Sequence, residues 1–193
     1  MNRFDVSIFH ALNRHAGHMY VLDGIMSFFA EYAMEIYGAL LIIAWFVLPR
    51  RDEDRRHALV VAVIGGFMAL FVNMVIGFIW YRPRPFAVPG IGAHKIIPHA
   101  ADTSFPSDHT SGGFGMSSAL WGSGPSWLSW IFTICSAIVM IARIYVGMHW
   151  PTDAIAGMVI GILCGRLAVR LSTYFRFITS IGLWIFRMGR YAV

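Results

Sequence analysis

Long apolar runs separated by short polar segments make up most of this chain, and they predict membrane-spanning helices. The longest runs occupy residues 19–48, 59–80, 127–146 and 151–169. Each has about the length that a helix needs to cross a bilayer, or more. A shorter run opens at residues 109–120 and contains three glycines, which permit close helix contact. The pattern predicts a single all-α domain over residues 1–193, a membrane bundle of five to six transmembrane helices.

The two ends of the chain carry weaker patterns. Residues 4–15 place apolar side chains at helical spacing between polar ones, which predicts a helix lying along the membrane interface. Residues 171–193 alternate aromatic residues with arginines and could form a sixth span or another interfacial helix; the recurring charges favour the interfacial helix. The N-terminus lacks the order of a cleavable signal peptide, so we expect the first span to direct insertion.

Two carboxylates, Glu31 and Glu35, fall within the first predicted span, four residues apart and therefore on one helix face. A carboxylate inside a bilayer is energetically expensive and is often functional for that reason. Alternatively, the embedded part of the helix begins near Glu35 and both side chains lie in the interface. The sequence leaves these alternatives open.

Composition supports a membrane protein, because 58% of the residues are hydrophobic and only 13% are charged. The net charge of +5 comes from arginines and a single lysine, and several arginines adjoin apolar runs. This placement indicates contact with anionic lipid headgroups. It does not indicate nucleic-acid binding, which would need an exposed basic face with interleaved aromatic residues that no stretch supplies. Cys135 and Cys164 lie within apolar runs and are expected to be small buried residues.

Candidate chemistry gathers at the ends of the predicted spans, first in Arg143, His149 and Asp153. Pro151 suits the first position of a helix, which puts Asp153 in the first turn and His149 just before it. Asp153 can then reach back to one imidazole nitrogen and leave the other as a nucleophile. Arg143 can hold phosphoryl oxygens with its planar fork. Taken alone, these residues could also be polar merely because they lie at the water boundary.

A second block reads Ser-Phe-Pro-Ser-Asp-His at residues 104–109. Ser104 is a candidate cap for a helix that begins near Pro106, and the free N–H groups of its first turn would form an anion site. Ser107 can add a hydroxyl donor. Asp108 is either a charge at the helix N-terminus or a group that contacts the substrate, and the sequence does not decide between these roles.

Together with Arg-Pro-Arg-Pro-Phe at residues 82–86, these blocks resemble the three-part signature of the type-2 phosphatidic acid phosphatase superfamily, over about residues 60–170. Its members cleave phosphate esters or anhydrides, in many cases on lipids. The short chain and the Pro-Ser-Asp-His variant most resemble undecaprenyl pyrophosphate phosphatases of the bacitracin-resistance type. The resemblance implies a membrane phosphatase that converts this lipid pyrophosphate to its monophosphate and recycles the cell-wall carrier. It implies membrane lipids as partners, no cofactor and no obligate protein partner.

The resemblance also implies roles for individual residues. His149 matches the histidine that attacks phosphorus and becomes a phosphohistidine, and His109 matches the one that protonates the leaving oxygen. Arg84 matches the arginine of the family's Lys-x6-Arg-Pro block. Gly77 stands where that lysine is expected, so Arg82 becomes the candidate substitute for a phosphate ligand. Alternatively, Arg82 only meets lipid headgroups.

The position of the site relative to the membrane follows from counting spans. The loop at 82–109 and the junction at 143–153 fall on one side, and the short loops of the other side carry the larger basic excess. The positive-inside rule then predicts an extracytoplasmic site.

Several alternatives remain at this point. His94 and His99 flank the lysine in the loop, but without clustered carboxylates or cysteines we expect no metal site. Within the class, a phosphatidylglycerophosphate or phosphatidate phosphatase is the main alternative. In another class, a small lipid transporter would also use carboxylates and arginines in a bundle. It would place polar residues near the middle of several spans, whereas these residues gather at span ends.

Overall fold

The computed structural model describes residues 2–192, and the regular structure within this range is helical, as the sequence predicts. The α-helices, in chain order, are α1 (Arg3–Asn13), α2 (Tyr20–Glu31), α3 (Ala33–Val47), α4 (Glu53–Ile79), α5 (Asp108–Leu120), α6 (Ser126–Tyr145), α7 (Pro151–Arg170) and α8 (Arg176–Ile185). Short 3-10 turns occupy Pro85–Ala87, Ser172–Phe175 and Gly189–Tyr191. An irregular loop at residues 80–107, the site loop, joins α4 to α5.

Three helices, α4, α6 and α7, are each long and apolar enough to cross a membrane. The run at 19–48, predicted as one span, is instead broken. The chain bends by 68° between α2 and α3, which are long and apolar enough for a span only when taken together. By length and composition, residues 2–192 therefore hold three candidate spans, or four if the bent pair is one span. Helix α5 is not among these candidates, because its 13 residues rise only about 20 Å.

Helix α5 is short because it lies inside the bundle, between α4 and α7. Nearly its whole length is buried, and glycines let the three backbones approach closely. A Cβ at Gly115 of α5 would lie 2.8 Å from the Gly65 carbonyl oxygen of α4. A Cβ at Gly157 of α7 would lie 2.8 Å from the Ser107 carbonyl oxygen. The close contact predicted from the α5 glycines is confirmed, and it brings the start of α5 beside the start of α7.

The N-terminal helix α1 packs against the bundle through a face that combines polar and apolar residues. Asp5, Phe9 and Asn13 follow one another at intervals of four residues and are buried, whereas the apolar Phe4 is exposed. The Asn13 amide donates to the Tyr145 carbonyl at 2.7 Å. Of the apolar residues that predicted an interfacial helix, Phe4 and Ala11 are exposed, whereas Leu12 packs against the buried cluster that contains Phe9. Polar and apolar contacts together dock α1 onto the bundle.

The opposite end of the bundle holds the chain reversal between α3 and α4 and the C-terminal segment. Arg56 is fully buried, and its guanidinium donates to the Leu48 and Pro49 carbonyls at 2.6 and 2.7 Å, where α3 has ended. Helix α8 has 10 residues and rises about 15 Å, too short for a sixth span. Glu53 at the start of α4 pairs with Arg190 of the tail, so the C-terminal segment lies against that end of α4.

Candidate active site

His149 lies in the tight junction between α6 and α7. Gly147 adopts a φ of +88°, and a Cβ there would lie 2.7 Å from the His94 carbonyl oxygen, so the turn requires glycine. The backbone N–H of His149 folds back onto the Arg143 carbonyl at 3.3 Å. Pro151 then begins α7, as predicted. The junction thus holds the buried imidazole against the end of α6.

The hydrogen bonds of the imidazole fix its tautomer. Nδ1 of His149 lies 2.8 Å from the backbone carbonyl of Ser104. A carbonyl oxygen can only accept, so Nδ1 carries the hydrogen and Nε2 holds a lone pair. Burial, with the nearby Arg143 and Arg84 guanidiniums, also holds the pKa of His149 well below its ordinary value. The imidazole is therefore neutral near pH 7, and Nε2 is a competent nucleophile.

Asp153 does not hold the imidazole in the way the sequence suggested. Its Oδ2 is 4.0 Å from Nδ1 of His149, too far for a hydrogen bond. Instead, Oδ2 accepts from the Ser104 hydroxyl at 2.5 Å and from the Trp150 N–H at 2.9 Å. Asp153 therefore orients Ser104, whose carbonyl orients His149.

Two buried arginines converge on the free nitrogen of His149. An Arg84 Nη lies 3.2 Å and an Arg143 Nη 3.4 Å from Nε2. Arg84 is anchored by Asp102, whose carboxylate accepts from its Nε at 2.6 Å. Arg143 is anchored by the Ala30 carbonyl, 2.9 Å from its other Nη. Ala30 lies near the end of α2, where the bend leaves carbonyls without helical partners.

Arg143 keeps one donor unused. Among residues 2–192, its buried Nε has no hydrogen-bond partner. Because an unsatisfied buried N–H typically costs about 1–3 kcal/mol, this donor indicates a place for an anionic oxygen. The two guanidiniums and the lone pair of Nε2 thus face the same position.

The start of α5 differs from the prediction in its cap. The helix begins at Asp108, with Ser107 as the preceding residue, and the Ser104 hydroxyl is used by Asp153 and does not cap it. The Ser107 hydroxyl accepts from Thr110 at 3.1 Å, which leaves its own hydrogen for another acceptor. His109, in the first turn, is within electrostatic range of Arg143. The N-terminus of α5 therefore faces the site, as expected for an anion-binding helix start.

Asp108 lies at a cavity of about 410 Å³ that adjoins Arg84. Asn73 of α4 donates to its carboxylate at 2.9 Å. The α4 wall of this cavity is otherwise apolar, with Leu70, Met74 and Phe78. Asp108 therefore fits both roles considered in the sequence analysis: it is a charge in the first turn of α5, and it lines the cavity where a substrate could contact it.

Arg82 contacts carboxylates. Its guanidinium forms an ion pair with Asp5 at 2.6 Å and another with Asp153, and it donates to the Thr152 hydroxyl at 2.7 Å. The predicted contact of Arg82 with phosphate would require one of these ion pairs to break. Gly77, where the family lysine is expected, lines the cavity without replacing its charge.

The sequence analysis missed four residues that organise the site: Asp5, Asn73, Asp102 and Thr152. Asn73 was detectable, because it is a polar residue within an apolar run. Asp5 shares a face with Phe9 and Asn13, a weaker signal. Asp102 and Thr152 gave no local signal.

The remaining candidates lie apart from this site. Glu31 and Glu35 flank the bend between α2 and α3 and are exposed. Cys135 and Cys164 are free thiols, intermediate and buried. Residues 2–192 contain no cluster of three or more His, Cys, Asp or Glu side chains suited to a metal, and His94 and His99 belong to none.

This arrangement suits the transfer of a phosphoryl group, since the lone pair of His149 lies where two guanidiniums would hold the phosphoryl oxygens. A hydrolase of phosphate esters or anhydrides at the end of a membrane bundle is the class that fits. The family model of the PAP2 superfamily, the type-2 phosphatidic acid phosphatases, matches residues 57–177. The chain belongs to this superfamily.

Individual relatives agree with this assignment. The undecaprenyl-diphosphatase BcrC of Bacillus subtilis is 37% identical over 88% of this chain and 84% of the relative. The undecaprenyl-diphosphatase of Sulfolobus acidocaldarius is 28% identical over 88% and 79%, respectively. The crystal structure of Aquifex aeolicus LpxE has a TM-score of 0.73 at 21% identity and covers 88% of this chain and 96% of that one. This protein is therefore a multi-pass membrane hydrolase.

Proposed function

We propose that the protein hydrolyses undecaprenyl pyrophosphate to undecaprenyl phosphate and inorganic phosphate, through a phosphohistidine at His149. Such an activity recycles the cell-wall carrier lipid and confers resistance to bacitracin. The observation that carries the proposal is the neutral Nε2 of His149, 3.2 and 3.4 Å from Nη atoms of Arg84 and Arg143. The choice of lipid is supported by relatives that are named for this activity at 37% and 28% identity.

In the first half-reaction, the Nε2 lone pair of His149 attacks the terminal phosphorus. The P–N bond forms as the P–O bond to undecaprenyl phosphate breaks. Burial and the nearby Arg143 guanidinium lower the pKa of His109, so His109 takes up a proton as the anionic pyrophosphate binds and then gives it to the leaving oxygen. Arg84 and Arg143 hold the oxygens of the transferred group, and Ser107 adds a hydroxyl at the helix start. The positive charge that develops on the imidazole is met by the Ser104 carbonyl at Nδ1.

In the second half-reaction, water attacks the phosphohistidine. His109, now neutral, accepts a proton from that water, while the P–N bond breaks and its electron pair returns to Nε2 of His149. Inorganic phosphate leaves. His149 again has a lone pair on Nε2, and His109 again carries the proton that it can donate. The roles of His109 and His149 are thereby complementary, one handling protons and the other the phosphoryl group.

The cavity beside Arg84 supports a lipid substrate. One wall offers the polar groups of Arg84 and Asp102, and the other is the apolar face of α4. Phe78 on that face is 84% exposed at the surface of the bundle. A substrate can therefore place its pyrophosphate at the arginines while its hydrocarbon chain passes over α4 into the membrane.

Phosphate release from a panel of lipids tests this function. Protein purified in detergent is expected to release phosphate from undecaprenyl pyrophosphate with a kcat/KM at least about tenfold above that for phosphatidate or phosphatidylglycerophosphate, a difference of about 1.4 kcal/mol in transition-state binding. A chelator should leave the rate unchanged, because arginines and backbone donors supply the charge compensation. A higher kcat/KM for phosphatidylglycerophosphate would assign the protein to the alternative function.

We further propose that the site faces the extracytoplasmic side. The site loop and the α6–α7 junction meet at one end of the bundle, as Arg84 and His149 show. The other end holds the α3–α4 connection and the tail, which meet where the Gly189 N–H donates to the Arg50 carbonyl at 2.7 Å. Arginines are concentrated at this second end: Arg50, Arg51, Arg55, Arg56, Arg166, Arg170, Arg176, Arg187 and Arg190. The positive-inside rule makes it cytoplasmic.

Cysteine labelling tests this orientation. In a variant whose native cysteines are replaced by alanine, Ala101→Cys in the site loop should react with an impermeant maleimide in intact cells. Ser123→Cys, in the turn between α5 and α6, should react only after the cells are permeabilised. Both positions are exposed, so accessibility within the protein is matched. The opposite labelling pattern would place the site in the cytoplasm.

A further inference from the structure

A buried ion pair ties the N-terminal helix to the catalytic end of the bundle. Asp5 of α1 is 0% exposed. One carboxylate oxygen accepts from Arg82 at 2.6 Å and from the Thr152 hydroxyl at 2.8 Å, and the other accepts from the Thr152 N–H at 2.9 Å. A buried carboxylate is unfavourable unless it is paired and hydrogen-bonded. The three donors satisfy it, so this is an organised contact between α1, the site loop and the start of α7.

The contact continues to the nucleophile. Arg82 bridges Asp5 and Asp153, and Asp153 accepts from the Ser104 hydroxyl at 2.5 Å. The Ser104 carbonyl in turn accepts from Nδ1 of His149 at 2.8 Å. An unbroken chain of hydrogen bonds and ion pairs thus connects Asp5 with the imidazole, although Asp5 does not touch it.

The charge of this cluster has a consequence for catalysis. The carboxylates of Asp5 and Asp153 accept from Thr152, Trp150 and Ser104, as expected for ionised carboxylates. Two carboxylates and the Arg82 guanidinium carry one net negative charge, next to an imidazole that becomes positive when it attacks phosphorus. Without Asp5, Arg82 would neutralise Asp153 alone, and the cluster would no longer favour that positive charge.

We propose that Asp5 is a positioning residue for the nucleophile: it fixes Arg82 and offsets its charge, so that Asp153 and Ser104 can stabilise the imidazolium of His149. This inference rests on the proposed phosphohistidine function. It assigns the N-terminal helix a part in catalysis. Because Asp5 stabilises the transition state and not the bound substrate, its effect belongs to kcat.

The variant Asp5→Asn tests this role, because it removes the charge while keeping the size and an acceptor for Thr152. We expect kcat to fall by about tenfold or more and KM to stay within about threefold. Asp54→Asn is the matched control, since Asp54 pairs with Arg176 at 3.4 Å near the far end of α4; it should leave both constants unchanged.

A double variant distinguishes an effect of the Asp5 charge from a purely structural role of Asp5. Asp5→Asn with Arg82→Gln again leaves one negative charge, on Asp153, and should recover kcat by at least about threefold over Asp5→Asn alone, a positive coupling in the double-mutant cycle. A structural role predicts the reverse, with the double variant worse than either single one. Rates are taken per mole of folded protein, from single-turnover formation of the phosphoenzyme.

Two results would overturn the proposal: kcat of folded Asp5→Asn within about threefold of wild type, or a double variant with no recovery. If Asp5→Asn alone does not fold, the double variant decides, and an unfolded or inactive one counts against the proposal. All rates are measured with the lipid substrate that the wild-type protein cleaves best. A preference for another lipid would therefore refute the proposed substrate and leave the role of Asp5 to be decided by these variants.

Discussion

Replacement of His149 by alanine is expected to abolish phosphate release while the protein remains folded. The imidazole makes the attacking bond, so its loss should lower kcat on the order of 10⁴-fold or more. The phosphoenzyme should also disappear. In wild type, it should be recovered after quenching in alkali and lost in acid, as expected of a phosphorus–nitrogen bond.

A suitable control for this variant is His57→Ala. His57 is also a buried histidine, 7% exposed, and its Nδ1 lies 2.7 Å from the Thr179 hydroxyl at the opposite end of the bundle. This variant reports the effect of removing a buried imidazole without touching the site, and once folded it should retain activity. A folded His149→Ala protein that kept more than about a tenth of the wild-type rate would contradict the assignment of the nucleophile.

Replacement of Arg143 by lysine should have the next largest effect. Lysine keeps the charge but lacks the planar fork, so it cannot donate to the Ala30 carbonyl and also hold the phosphoryl group in a fixed geometry. The unused Nε donor of Arg143 is lost as well. Losing preorganised donors of this kind should reduce kcat/KM by about 10²–10³-fold, which steady-state phosphate release would measure.

Arg166→Lys provides the matched change outside the site. Arg166 also donates to backbone carbonyls, those of Ser118 and Trp121 at 3.1 and 2.8 Å, where α5 ends. We expect its kcat/KM to stay within about threefold of wild type, because it touches no reacting group. If Arg143→Lys lost less than about tenfold, the phosphate would not depend on the Arg143 fork.

The parts of the fold that local patterns specify could be predicted from the sequence. The apolar runs marked α4, α6 and α7, and Pro151 marked the start of α7. The bend between α2 and α3 could not be predicted. A bent and a straight helix have the same hydropathy, and the residue at the bend is Tyr32, not a proline or a glycine. The depth at which α5 is buried could not be predicted either, since its glycines indicate close packing but not on how many sides the helix is covered.

The site was predictable in its reactive residues but not in their partners. Arg84, Arg143 and His149 belong to a recognisable motif, and the structure brings them together. Their hydrogen bonds, however, come from remote segments. Nδ1 of His149 donates to the Ser104 carbonyl, whereas proximity in sequence suggested Asp153 as its partner. In the same way, Arg82 was predicted to contact phosphate as a substitute for the missing lysine. Its pairing with the buried Asp5 could not be predicted, because Asp5 lies far away in sequence.

The contact between Asp5 and Thr152 also sets when a growing chain can become an enzyme. The two residues are separated by 147 positions, which a ribosome needs on the order of ten seconds to translate. During that interval Asp5 has no Thr152 to bind, and Ser104 has neither Asp153 nor His149. The nascent protein therefore enters the bilayer without a reactive imidazole, and competence arrives with the insertion of α7. Chains released from the ribosome before α7 is made would insert into the membrane but could not hydrolyse the lipid substrate.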